Sequence, residues 1–132
     1  MLYFAVSGYQ ETVPRLPSAQ EFECLVKNVY YEAGIESFRG KVAVAEVTMN
    51  RLKDPRYPKT ICGVVYQRKQ FSWTIKPPKG APDPKVWLES ARAAAVGYNN
   101  QTIDATHYHN FSVSPAWGLK RLYSIGQHIF YK

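Results

Sequence analysis

The chain has 132 residues, of which 45% are hydrophobic and 20% are charged. This composition excludes a disordered protein and fits one domain with a core of its own. No apolar run reaches the roughly 18 residues of a membrane span. The formal net charge of +7 favours an anionic partner such as nucleic acid, a membrane surface or a cell-wall polymer. Because no dense block of Lys and Arg occurs, we expect no nucleic-acid binding, and because no apolar run is long enough, we expect no stable insertion into a membrane.

The N-terminus and the cysteines bear on the compartment. Residues 1–6 are apolar, but they are few and no basic segment precedes them, so they are not a typical secretory signal. We therefore expect a chain made in the cytoplasm that stays there unless another route exports it. Two cysteines, Cys24 and Cys62, are too few for a disulfide scaffold, and we interpret them as buried thiols. Whether they meet in space is left open.

The first predicted helix begins at Ser18, a good N-cap, with Glu21 three residues later as in a capping box. It ends at Gly34. Its apolar residues recur at helical spacing: Phe22, Leu25, Val29 and Ala33. Because Gly and Pro interrupt the segment ahead of it, we divide the chain into an N-terminal lead-in, residues 1–21, and one domain, residues 22–132.

A second long helix and a short one are predicted next. Ser37 is a suitable N-cap for the second helix, which the Asp-Pro pair at residues 54–55 ends. Thr60 then predicts a short helix over residues 61–66. The apolar stripe of the second helix is Val42, Ala45, Met49 and Leu52.

The remaining chain changes from helical to strand-like patterning. Residues 67–84 hold four prolines and predict a long loop, of a kind that is usually functional or mobile. Pro84 suits the first turn of a third long helix, which ends at residues 99–100. Residues 105–111 and 122–131 are rich in aromatic and β-branched residues and predict two short strands. The fold class is therefore α+β, mostly helical, with a small antiparallel sheet near the C-terminus.

Glu32 lies on or beside the apolar stripe of the first helix, three residues after Val29 and seven after Leu25. Burial disfavours an ionised carboxylate and so raises its pKa. A carboxyl group that stays protonated near neutral pH can protonate a glycosidic oxygen as the bond breaks. The neighbouring Tyr30 and Tyr31 suit a sugar groove. The alternative is a carboxylate at a helix end that reaches water or a lysine.

Several separated motifs follow one another in a specific order. They are Asn-Val-Tyr-Tyr-Glu-Ala at 28–33, the Gly-x-Val-Ala-Val-Ala-Glu-Val stretch with Asn-Arg at 40–51, Pro-x-Thr-Ile-Cys-x-Val-Val at 58–65, Gln-Phe-Ser-Trp at 70–73, Ala-Thr-His-Tyr at 105–108, Pro-x-Trp at 115–117 and Gly-x-His-x-Phe-Tyr at 126–131. Together they resemble the SleB/CwlJ-type cell-wall hydrolase family. The resemblance covers roughly residues 22–131.

That resemblance implies a lysozyme-like fold and an enzyme that cleaves peptidoglycan glycan strands between N-acetylmuramic acid and N-acetylglucosamine. The acid of the family falls on Glu32. Family members are described as lytic transglycosylases, in which the muramyl 6-hydroxyl attacks its own anomeric carbon and leaves a 1,6-anhydro end. One carboxyl group then serves first as acid and later as base, and no cofactor is required.

The chain departs from the family pattern after Glu32. Where the family commonly has Glu-Ala-Arg-Gly-Glu, residues 32–36 are Glu-Ala-Gly-Ile-Glu, without the Arg. We interpret Glu36 as a turn residue or as a residue that supports the site without contacting the substrate. An inverting or retaining muramidase would need a second carboxylate about 5–9 Å from the first. The candidates by residue type are Glu36, Glu46, Asp54 and Asp104.

Two segments are candidates for substrate binding. Gln70, Phe71, Ser72 and Trp73 combine amide and hydroxyl groups with two rings, as a saccharide site does. Tyr31 is a further candidate. The alternative for residues 70–73 is an edge strand that covers the core.

Three histidines and a tryptophan form a second group. His107 and His109 share one face of a strand, with Tyr108 on the other, and His128 follows later. By ligand type these histidines suit zinc, and a metal-dependent hydrolase is an alternative, but their spacing is unlike the usual motifs. We favour His107 and Tyr108 as groove residues and expect no metal. Trp117 is either a sugar platform or part of the core.

Two further expectations concern setting. A non-catalytic module that binds an anionic polymer is the alternative outside enzymes. A lytic domain this small resembles a phage endolysin, which acts as a monomer on the wall and needs a holin-type pore to reach it.

Overall fold

The structure, a computed structural model, describes residues 15–68 and 70–132. Within these ranges lie five helices, α1 (Ala19–Ala33), α2 (Phe38–Lys53), α3 (Ile61–Val65), α4 (Ser72–Ile75) and α5 (Pro84–Asn99), and three strands, β1 (His107–Asn110), β2 (Arg121–Ile125) and β3 (His128–Tyr131). The predicted α+β class, mostly helical with a small antiparallel sheet near the C-terminus, is confirmed. None of the described helices is long and apolar enough to cross a membrane.

The helix ends follow local capping. The side-chain oxygens of Ser18, Ser37 and Thr60 each accept a hydrogen bond from the backbone N–H three residues on, at 3.3, 3.2 and 2.9 Å. All three predicted N-caps are therefore confirmed. Most of the predicted lead-in, residues 1–14, lies outside the described residues, and α1 already begins within the rest of it.

Cys24 and Cys62 form a disulfide that joins α1 to α3, with their Cα atoms 5.3 Å apart. The interpretation of both residues as buried thiols is therefore wrong. Glu21 reinforces this junction, because its carboxylate accepts hydrogen bonds from the backbone N–H groups of Ile61 and Cys62 at 2.6 and 3.1 Å. Ser18 does cap α1, but the Glu21 carboxylate caps the neighbouring helix α3 instead of completing the predicted capping box.

Helix α2 is the centre of the molecule. The predicted apolar stripe of this helix does face the core, but every residue from 40 to 51 is buried, so the other faces of the helix are covered as well. Helices α1 and α5 pack against α2, and the sheet reaches it through a second cluster that contains Ala43, Val47 and Phe130. At Gly97 of α5 a Cβ atom would lie 2.5 Å from Ala45 Cβ, so glycine permits this close approach.

The sheet is antiparallel, in the order β1-β3-β2. Residues 122–131 were predicted as one strand, but they form a hairpin, because Gly126 takes φ +56 and reverses the chain. The Glu36 carboxylate accepts a hydrogen bond from the backbone N–H of Gln127 at 3.0 Å and holds this turn. Glu36 is thus a buried residue between α1 and α2 that fixes the sheet to the helices.

Candidate active site

A pocket opens between the end of α1, the end of α2, the segment before α4, and β1 with the loop that follows it. Its lining combines charged, amide and aromatic side chains: Glu32, Arg51, Gln70, Phe71, His107, Tyr108 and Trp117. Five of these seven residues are among those predicted from sequence to bind substrate, and Glu32 is the predicted acid.

Glu32 occupies the last turn of α1, where Tyr108 of β1 reaches it. The Tyr108 hydroxyl donates a hydrogen bond to Glu32 Oε1 at 2.8 Å. Burial raises the pKa of Glu32 above its usual range, and the Tyr108 hydrogen bond and the nearby Arg51 charge oppose that rise in part. Burial and the adjacent Glu32 carboxylate raise the pKa of Tyr108 well above its ordinary value, so Tyr108 stays a neutral donor.

Arg51 is a site residue that the sequence reasoning missed. It is only 4% exposed, and its Nε and Nη1 donate to Thr106 O at 2.7 Å and Gln70 Oε1 at 3.0 Å. The rings of Tyr57 and Phe71 lie 5.2 and 5.6 Å from its guanidinium carbon. The available signal was the Asn-Arg pair at residues 50–51, which follows the Val-Ala-Val-Ala-Glu-Val stretch in the family motif.

Asn50 and Glu46 hold the chain that leads into β1. Asn50 Nδ2 donates to the carbonyl oxygens of Ile103 and Ala105 at 3.0 and 2.9 Å. Glu46 accepts from the backbone N–H groups of Thr102 and Ile103 at 2.6 and 3.0 Å. These bonds satisfy backbone groups that have no strand partner, and they position His107 and Tyr108 over the pocket.

The predicted segment 70–73 divides between the pocket and the core. Gln70 and Phe71 line the pocket, whereas Ser72 is exposed at the start of α4. Trp73 is buried, and its Nε1 donates to Asn28 Oδ1 at 2.8 Å. Tyr31 packs on Trp73 with ring centroids 4.9 Å apart and does not contribute to the pocket lining. The segment is a helical turn, not the alternative edge strand.

The histidines separate onto two faces of the sheet. His107 and His109 share the outer face, where Trp117 lies 5.1 and 5.4 Å from their ring centroids. His128 pairs with Asn110 and packs on Tyr108 on the inner face. Within residues 15–68 and 70–132 no group of three His, Cys, Asp or Glu residues is arranged to hold a metal ion. The residues therefore do not assemble the three-histidine site considered as an alternative.

The four other carboxylates considered from sequence have partners elsewhere. Glu36 and Glu46 accept from backbone N–H groups, as described above, and Asp104 pairs with Lys132 at 3.1 Å. Arg56 hydrogen-bonds to Asp54 and lowers the pKa of Asp54 to about 2. Among the described residues that line the pocket, Glu32 is the single carboxyl group.

Trp117 is 40% exposed, which makes it a rim residue and not part of the core. Its indole meets the rings of His107, His109 and Tyr131 edge-on, with centroids 5.1–5.4 Å apart. His109 Nε2 and the Tyr131 hydroxyl are 2.8 Å apart and fix these two rings to each other. The indole is thereby held beside the pocket with one side open to solvent.

Comparisons with known proteins show which family the chain matches. Residues 35–131 match the sequence profile of the Cell Wall Hydrolase family. The chain is 31% identical over 129 residues to a spore cortex-lytic enzyme of Oceanobacillus iheyensis, covering 91% of this chain and 44% of that protein. It is also 31% identical over 122 residues to the spore cortex-lytic enzyme of Bacillus subtilis, covering 86% and 38%. The chain thus spans less than half the length of these relatives.

Solved structures give the same result for the fold. The catalytic domain of the germination-specific lytic transglycosylase SleB from Bacillus anthracis superposes with a TM-score of 0.74 at 27% identity, covering 91% of this chain and 100% of that one. The catalytic domain of the SleB protein of Bacillus cereus gives the same TM-score and identity, covering 91% and 95%.

Proposed function

Since the chain belongs to the cell wall hydrolase family, we propose that it degrades peptidoglycan by cleaving the glycan strand between N-acetylmuramic acid and N-acetylglucosamine. Residues 22–132 form the catalytic domain in this proposal, and Glu32 is the general acid and base. The observation that carries it is a carboxyl group shielded from water, bonded to Tyr108 and without a second carboxylate beside it in the described pocket.

Glu32 begins the reaction as an acid. Because burial raises its pKa, the carboxyl group holds a proton at pH values where an exposed glutamate is ionised. Tyr108 donates to Oε1, which leaves Oε2 to carry the proton. As the bond between the muramyl C1 and the glucosamine O4 breaks, that proton passes to O4 and Glu32 becomes a carboxylate.

The same group then acts as a base. The muramyl 6-hydroxyl attacks C1, and its proton returns to Glu32 as the new C1–O6 bond forms. The sugar ends as a 1,6-anhydro product, and no water is consumed. A muramidase would need a second carboxylate to act on water or on C1. The positions of Glu36, Glu46, Asp54 and Asp104 away from the pocket therefore support the transglycosylase route.

The remaining pocket residues suit the sugar. Gln70 supplies an amide for hydroxyl or acetamido groups, and Trp117 presents a ring for the CH face of a pyranose. Phe71, His107 and Tyr108 close the other sides. Tyr31 and Trp73 pack on each other outside the pocket lining, and Ser72 is exposed at the start of α4.

Digestion of purified peptidoglycan in heavy-oxygen water, followed by mass spectrometry, tests the proposal. We expect fragments with 1,6-anhydromuramic ends, one water lighter than reducing ends and free of the heavy isotope. Glu32→Gln keeps the size and the acceptor for Tyr108 but removes the proton, so we expect a loss of at least about a hundredfold in rate, as for other general acids.

The control is Glu23→Gln, an exposed carboxylate of the same helix, which should cleave at the normal rate. Reducing muramic ends that carry the heavy isotope would show that the enzyme is a muramidase and not a transglycosylase. Cut peptides with intact glycan would overturn the proposal. Phage origin, a holin-type export route and a monomeric state stay predictions.

A further inference from the structure

Arg51 is a buried cation that forms no salt bridge within the described residues. Within the described part of the chain, no carboxylate oxygen lies within 4.0 Å of its guanidinium, and its hydrogen bonds go to two neutral acceptors, Thr106 O and Gln70 Oε1. Burying a charge is costly unless a partner compensates it. Lys41, the other buried cation of α2, has such a partner, since its Nζ lies 2.7 Å from Glu89.

Arg51 lines the same pocket as Glu32. Its buried positive charge, which no salt bridge offsets, therefore bears on the reaction. With Glu32 protonated as an acid, Arg51 is the only full charge among the described lining residues. The glycosidic transition state develops positive charge at C1. Until Glu32 has given up its proton, a guanidinium with no other negative group nearby raises the energy of that state. A negative group on the substrate removes this conflict.

The geometry of Arg51 selects the kind of negative group. Its Nε and Nη1 are anchored, whereas no hydrogen bond within the described residues uses Nη2. The flanking rings of Tyr57 and Phe71 restrict the guanidinium plane. A planar guanidinium held in this way, with N–H groups left over, matches a carboxylate.

We propose that Arg51 forms a carboxylate-binding subsite, so that the enzyme prefers muramyl residues whose substituent carries a free carboxylate. This inference rests on the proposed function. The lactyl group is attached to the sugar whose C1 is cleaved, and its carboxylate is free where the stem peptide is absent. Where the peptide is present, the lactyl group is an amide and only the peptide carboxylates remain.

Rates on four substrates test the subsite in the wild-type protein. They are peptide-free glycan strands with free lactyl carboxylates, the same strands after methyl esterification, peptide-bearing strands, and peptide-bearing strands with amidated carboxylates. We expect kcat/KM to fall about tenfold to a hundredfold when the recognised carboxylate is neutralised. A drop on esterification identifies the lactyl group, and a drop only on amidation identifies the peptide. Equal rates on both pairs would overturn the proposal.

Variants then assign the effect to Arg51. Arg51→Met should cleave charged and neutralised strands at equal rates, and Arg51→Lys should keep part of the preference. Each comparison is the ratio of kcat/KM on charged and on neutralised strands for one variant. A smaller folded fraction lowers both rates equally and leaves this ratio unchanged. An Arg51→Met protein that keeps the full preference would place the subsite elsewhere and overturn the assignment.

Binding of the peptide-free strands to Glu32→Gln, measured by calorimetry, separates this inference from the proposed function. Tighter binding of the free carboxylate than of the ester supports the subsite even where no cleavage occurs. Absence of cleavage by the wild type in all four substrates would overturn the proposed function instead.

Discussion

Tyr108 sets how strongly Glu32 holds its proton. Its hydroxyl donates to the carboxylate, which favours the ionised form and lowers the pKa that burial has raised. Tyr108→Phe removes that bond, so the pKa of Glu32 rises further. A general acid is active below its pKa, and we expect the alkaline limb of the kcat/KM profile to move up by about one pH unit.

Tyr123→Phe is the matched control for this change. Tyr123 is also a strand tyrosine that packs on Phe130, but its buried hydroxyl finds no hydrogen-bond partner among the described residues. Loss of that hydroxyl should leave the pH profile in place. An unshifted profile in Tyr108→Phe would show that the Tyr108 hydroxyl does not tune the acid.

Features that depend on residues close together in the chain could be predicted from the sequence, whereas features that depend on distant residues could not. The caps at Ser18, Ser37 and Thr60 act over three residues, and the pattern alone predicted them. Arg51 became recognisable as a site residue only after folding placed Gln70 and Thr106 beside it, 19 and 55 residues further along. Glu32 was found early because its motif and its apolar surroundings are both local.

The sheet and the disulfide show the same limit. The hairpin within residues 122–131 depends on Gly126 taking a positive φ and on Glu36, 91 residues before Gln127, which binds the turn. Gly126 was a local turn signal within this segment that the single-strand prediction did not use. Likewise, Cys24 and Cys62 are 38 positions apart in the sequence, and only the packing of α1 on α3 in the folded chain brings them together.

The Cys24–Cys62 disulfide should stabilise the junction of α1 with α3. A crosslink that closes a loop of this length contributes about 2–4 kcal/mol to the free energy of unfolding. Reduction should therefore lower Tm by roughly 10 °C for a domain of this size. Thermal unfolding with and without dithiothreitol, monitored by circular dichroism, measures the change.

A Cys24→Ala, Cys62→Ala double variant serves as the control, because reductant should not alter its Tm. The Glu21 bonds to α3 remain in that variant, so we expect it to fold. If the wild type has the same Tm in both conditions while free thiols appear, the disulfide contributes nothing measurable.

Across the described residues, most acidic side chains have a hydrogen-bond or ion-pair partner, whereas most basic side chains have no acidic partner. In the described ranges, Glu21, Glu36 and Glu46 bind backbone N–H groups of other elements. Four more acids are paired with Lys or Arg, and Asp83 caps α5. Most basic side chains of the described residues therefore have no acidic partner, in keeping with the formal net charge of +7. Such a surface attracts polyanions over a distance set by the ionic strength.

This excess charge predicts that salt weakens attachment to an anionic wall. The Debye length falls from about 10 Å at 0.1 M to about 3 Å at 1 M salt. Attraction between exposed charges and the wall is therefore screened strongly, whereas the buried contacts of the pocket are screened less. The protein should bind and clear intact sacculi more slowly as salt rises across this range. Sacculi from which the accessory anionic polymers have been extracted are the control, and their clearance should depend less on salt. Equal salt dependence for both preparations would locate the effect in the pocket, and clearance that does not change with salt would contradict a role for the surface charge.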